Sequence, residues 1–217
     1  MPRVLVGPLP PSVLAVLAAW GIALASGAGM PGCGGATRSA RAAALGDEAA
    51  EALARGELDR AEAGLRLALE HAPGDAAALA NLGLVALARG ALGEAERHLR
   101  AAVAADEDLV EGWTDLGVVL ERRGRDDDAR RAYERALSIH PDRPEPRLRL
   151  ALLFARQERL AEARAHLLRL SILAPDDAAV WGLLAWCELR LDRREAAGSA
   201  AREALDRDPD APAARLV

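Results

Sequence analysis

The chain contains no lysine: all 28 basic residues among its 217 are arginine. Aromatic residues supply only 3%, and there are two cysteines, Cys33 and Cys187. Two cysteines so far apart make neither a disulfide framework nor a zinc cluster. The shortage of aromatic and β-branched residues argues against strands, which draw on those types. No basic block exists either. Arginines and acidic residues are interspersed and the net charge is -5, so the footprint of a nucleic-acid binder is missing. Glycine-rich phosphate loops, a serine elbow and paired-carboxylate motifs are absent, which points to no catalytic class and no cofactor. His71, His98, His140 and His166 do not fall at metal-ligand spacings. His98 and His166 occupy equivalent places and read as ordinary surface residues. Asp126, Asp127 and Asp128 lack the glycine and later glutamate of a calcium loop and read as a helix start. What the chain does have is alanine and leucine, the strongest helix formers, within a 51% hydrophobic composition. The expectation is an all-helical protein.

Residues 1–32 stand apart. Arg3, prolines between positions 8 and 11, and an apolar run over 13–25 have the layout of a secretory signal, with Ala23-Leu24-Ala25 as a cleavage site. Met30-Pro31-Gly32-Cys33 loosely resembles a bacterial lipoprotein box, which would make Cys33 the lipidated residue. Gly32 fits that box, whereas Met30 and Pro31 depart from it. An uncleaved anchor over 13–28 is the third reading. Each of the three delivers the remainder of the chain outside the cytoplasm, so the expected location is periplasmic, with a membrane tether through lipid or anchor. Residues 33–41 are small and polar and read as a flexible tether.

Beyond the tether the chain repeats itself. Ala61, Ala95, Ala129, Ala163 and Ala197 are 34 residues apart, and Pro141, Pro175 and Pro209 keep the same interval, with Pro73 in phase. Leu65, Leu99, Tyr133 and Leu167 follow four places after the first four alanines. Within each interval apolar residues recur at helical spacing, as in Trp113, Leu116 and Leu120, and then break at a residue such as Gly124. A second helical stretch follows, with Glu57, Asp59, Glu94 or Asp126 at its start, where negative charge complements the helix dipole. Arg55, Arg89 and Arg123 close the first helices for the opposite reason. Asp75 and Asp177 are placed to cap the next helix, and Pro144 suits a first turn. The repeated alanine marks the place where the two helices of a unit cross closely.

Trp113, Leu116, Gly117, Leu120, Ala129, Tyr133, Ala136 and Pro141 resemble the tetratricopeptide repeat pattern W-x2-L-G-x2-Y, A-x3-F and P. The resemblance implies five units, 42–75, 76–109, 110–143, 144–177 and 178–211, with a tail at 212–217. It implies a right-handed α-solenoid of five stacked helix-turn-helix repeats, in which neighbouring hairpins share a core. The end units look like wetter copies: Glu48 and Ala52 stand where the third unit has Leu116 and Leu120, and Glu188 and Ala201 where it has Leu120 and Tyr133.

Members of this family hold a peptide or helix in a concave groove lined by first helices. That carries over to Ala50, Leu84, Val118, Leu152 and Trp186. The grip on a terminal carboxylate known in one subclass needs lysine and an asparagine pattern that this chain does not have. Arg122, Arg156 and Arg190 recur at the repeat interval; they either form a ladder that grips acidic groups or complement helix C-termini. Trp186 is surplus to Trp181, which already fills the structural place of its unit, and reads either as an interface anchor or as a buried residue. Cys187 reads as a small buried hydrophobe. The functional expectation is a non-catalytic scaffold binding a protein or peptide. The alternative is a structural component that self-associates through an uncapped last repeat into a homo-oligomer.

Overall fold

The computed structural model describes residues 40–210. The expected signal or anchor, the lipidation candidate Cys33 and the tail at 212–217 therefore lie outside the described residues. Among these, ten helices form and no strand does: α1 (Ala40–Ala54), α2 (Leu58–His71), α3 (Ala76–Ala88), α4 (Leu92–Ala105), α5 (Val110–Arg122), α6 (Asp126–Ile139), α7 (Pro144–Arg156), α8 (Leu160–Leu173), α9 (Ala178–Arg190) and α10 (Arg194–Arg207). No described helix is long and apolar enough to cross a membrane. The helices divide into two compact units, residues 40–141 and 142–210.

In the first unit α1 packs on α2, α3 on α4 and α5 on α6, while α3 also touches α1, α2 and α5. That surrounds α3 on most sides and explains why every residue from Ala80 to Leu87 is buried, a helix without a polar face. In the second unit α7 packs on α8, and α9 on both α8 and α10.

Local signals start three of the helices where the sequence places them. The Asp75 carboxylate accepts from the Ala77 and Ala78 amides at 3.1 and 3.3 Å, and Asp177 accepts from Ala179 and Val180 at 2.9 and 3.4 Å. These caps satisfy amides that have no partner inside the helix. Pro144 opens α7, where a missing N–H is harmless. Trp113 Nε1 donates to the Glu107 carbonyl and Trp181 Nε1 to the Pro175 carbonyl, at 2.9 and 2.8 Å. One indole at the same place in two repeats thus ties a first helix to the turn before it.

The turn inside each hairpin needs a left-handed residue. Gly56, Gly90 and Gly124 supply it with φ of 75°, 76° and 72°, but the second unit puts Glu158 and Asp192 there at 58° and 57°. A side chain in that region is strained against its own carbonyl. Asp192→Gly is expected to raise stability by about 0.5–1 kcal/mol, since its ion pair with Arg194 is solvent-exposed and worth little. A urea midpoint that falls in this variant would contradict the reading.

Ala61, Ala95, Ala129, Ala163 and Ala197 are all completely buried. Close approaches within a hairpin are made near them by glycines. A Cβ on Gly117 would overlap the ring of Tyr133, and one on Gly83 would stand 2.6 Å from Leu99 Cγ. In the first hairpin the roles are exchanged, with Gly64 on the second helix facing Ala49 at 2.9 Å.

Three sequence expectations need correction. Glu188 is buried rather than wet, because Arg164 Nε and Arg193 Nε approach its carboxylate at 2.6 and 3.0 Å and neutralise it; Ala52 and Ala201 are buried too, and only Glu48 is exposed, paired with Arg60 at 2.6 Å. Arg89 and Arg123 do more than complement a dipole. They reach back to the preceding second helix, Arg89 to Glu62 and Asp59, Arg123 to Glu96. His166 is not simply a surface residue either, since its ring stacks on Phe154 at 5.6 Å.

Candidate functional site

Each unit carries its own share of the first-helix residues picked out by the repeat. In the first unit Ala50, Leu84 and Val118 lie on α1, α3 and α5, three first helices of which α3 touches both others. Ala50 is half-buried, Val118 is nearly covered, and Leu84 has no exposed surface. In the second unit Leu152 and Trp186 are both buried, Trp186 to 3% exposure. These apolar side chains stabilise the hairpins they belong to and present little area outward.

The three repeated arginines differ in what they do. Arg122 and Arg156 are exposed. Arg190 pairs with Glu158 and places its guanidinium 5.2 Å from the centre of the Trp186 ring, a cation–π contact. Its charge is therefore engaged inside its own unit.

One polar residue on the first helices escaped the sequence reading. Asn81, the sole asparagine of the chain, sits on α3 one turn before Leu84 and is 3% exposed. Its Oδ1 is buried and has no hydrogen-bond partner among the described residues. Asp115 occupies the same repeat place on α5 and is also buried. A buried amide oxygen without a donor costs about 1–3 kcal/mol, and a leucine of similar size would avoid that penalty. The signal that would have found it is composition: a lone asparagine in a helix otherwise built from Ala, Leu, Gly and Val.

Cys187 is fully buried, and burial together with the neighbouring Glu188 pushes its thiol up to about 12. It stays protonated at neutral pH and packs as a small hydrophobe. Among the described residues no group of three or more histidine, cysteine, aspartate or glutamate side chains comes together as a metal site.

Tetratricopeptide repeat models match residues 47–110 and 93–144, 120–187, and 178–211. The chain belongs to the tetratricopeptide repeat (TPR) family. Its fold is the all-α TPR solenoid class, and its class of function is that of a protein–protein interaction scaffold. Solved structures share the fold. YrrB, described as a TPR protein with an unusual peptide-binding site, is 23% identical over 79% of this chain and 89% of its own, with a TM-score of 0.66. MamA is 17% identical over 78% of this chain and 93% of its own, with a TM-score of 0.67. A MamA fragment from Desulfovibrio magneticus RS-1 is 16% identical over 80% and 98%, with a TM-score of 0.68. Among curated proteins, none matches the chain.

Proposed function

We propose that this TPR chain is a non-catalytic scaffold that binds a peptide or helix of a partner protein along its first helices, and that it works at the bacterial cell envelope after export. The observation that carries the binding reading is Asn81. Its buried, unpartnered carboxamide oxygen on α3 is an acceptor waiting for a donor. A peptide that displaces what covers Asn81 supplies backbone N–H groups, and meeting that acceptor turns a penalty of the free protein into affinity for the bound one. The similarity to YrrB, a protein described as having a peptide-binding site, agrees with this reading. Location rests on residues 1–32 and Cys33 of the sequence alone.

Selection of random peptides on the purified chain, followed by calorimetry, tests the binding role. Asn81→Leu is expected to weaken the selected peptides about tenfold, the equivalent of roughly 1.4 kcal/mol. It should leave the melting temperature unchanged or raised, since an unsatisfied acceptor has been removed. Unchanged affinity with a lowered melting temperature would make Asn81 a structural residue and end the proposal. For the location, fatty-acid labelling in cells is expected to mark the parent chain and not Cys33→Ser; equal labelling of both would reject lipidation there.

A further inference from the structure

The first unit contains a charge imbalance that its fold does not require. Glu96 on α4 has a side chain only 5% exposed, and three arginines converge on it. Arg100, one turn along the same helix, comes to 2.8 Å, Arg125 to 2.7 Å, and Arg123 bonds the other carboxylate oxygen. Arg123 and Arg125 flank Gly124 in the turn between α5 and α6, so they meet Glu96 of α4 only after folding. With Gly93 and Arg97 these side chains line an open recess of about 470 Å³. Four guanidinium groups face one carboxylate there, an excess of three positive charges in a chain whose net charge is -5. Asp128, which also bonds Arg125, does not remove the excess, because Arg131 pairs with it in turn.

One repeat earlier, the same device exists in balanced form. Arg89 from the turn reaches back to Glu62, the counterpart of Glu96, and also to Asp59, while Arg66 pairs with Glu62. Two arginines meet two carboxylates, and the connection between hairpins is made. At the Glu96 register Gly93 replaces that second carboxylate, Arg125 stands where Ala91 was, and Arg97 where Ala63 was. The packing role needs none of these changes. Together they remove an acid, add two cations and leave bare space where a Cβ of residue 93 would meet nothing within 4 Å.

We propose that this recess is a second docking site, for an acidic peptide segment of a partner protein whose Asp or Glu carboxylates enter between the guanidinium groups. Arginine forks match carboxylates two bonds at a time, and Glu96 holds three of them in place before any ligand arrives, so little rotamer freedom is lost on binding. Three of the five N–H donors on an arginine can stay free even when two are engaged. Arg97 lines the recess, is exposed, and is held by no hydrogen bond or ion pair among the described residues. A nucleic-acid backbone is the poorer fit: it asks for a basic stripe and stacking aromatics, and neither accompanies the recess. The site lies on a second helix and a turn, so it stands or falls separately from the first-helix reading around Asn81.

Fluorescence anisotropy of the full chain with a flexible, dye-labelled peptide of about twelve residues carrying several glutamates gives the test. Binding is expected, lost with the glutamine version of that peptide and weakened as salt rises. Arg97→Gln with Arg100→Gln should weaken it about tenfold or more with the melting temperature retained. Arg66→Gln, at the balanced register, should leave it unchanged. No binding, an equal loss in Arg66→Gln, or tighter binding of a single-stranded oligonucleotide or of inorganic phosphate than of the acidic peptide would each overturn the proposal.

Discussion

Gly117→Ala is expected to destabilise the protein by about 1–3 kcal/mol, a large effect for one methyl group, and Tyr133→Leu in the same chain is expected to recover much of the loss. The reason is how the two helices of each hairpin share space. At the crossing of α5 and α6 an added Cβ would overlap the Tyr133 ring, and the ring cannot give way because it is completely buried and its hydroxyl donates to Glu121 at 2.9 Å. Sixteen residues separate the two positions, and the other repeats hold Gly83 with Leu99, Ala49 with Leu65, Ala151 with Leu167 and Ala185 with Ala201 at the same places. The largest partner is matched with the smallest residue. The double variant reproduces the Ala151 and Leu167 combination, so the two substitutions should be strongly non-additive. A double-mutant cycle by urea denaturation that shows simple additivity would mean the ring and the glycine do not share this space.

Trp186→Ala is expected to lower stability by about 3–5 kcal/mol, the range for emptying a buried tryptophan site. With 3% of its surface exposed and the Arg190 guanidinium over its ring, Trp186 belongs to the packing of the second unit. Its removal leaves a cavity in α9 and takes away the surface on which Arg190 rests. Trp186→Phe should lose distinctly less, since most of the apolar volume is kept. Thermal and urea unfolding of both variants measures this directly. A loss below about 1 kcal/mol for Trp186→Ala would return the residue to the role of a docking anchor, because a ring that contributes little to folding is free to contribute to binding.

Much of the architecture was legible because the information is local or periodic. Asp75 and Asp177 cap helices through amides two and three residues away, and Pro144 needs only its own ring. The buried alanines and their leucine or tyrosine partners are written as an interval of 34. The positive-φ turns were half legible: Gly124 announces one, but Glu158 and Asp192 hide the same conformation behind ordinary residues. Glu188 was misread because a carboxylate in the chain looks wet until Arg164 is brought to it from α8 and Arg193 folds back from the turn after α9.

By itself, then, the amino-acid order determined the helices, their breaks and their phase, since each depends on neighbours within a turn or on a fixed repeat. Tertiary structure alone decided which charges are neutralised and which are left over. Glu96 meets Arg123 and Arg125 across 27 and 29 residues, and Asn81 loses water only when α3 is enclosed by its neighbours. The worth of a charge or an amide depends on what surrounds it in space, and that is fixed only when the hairpins stack.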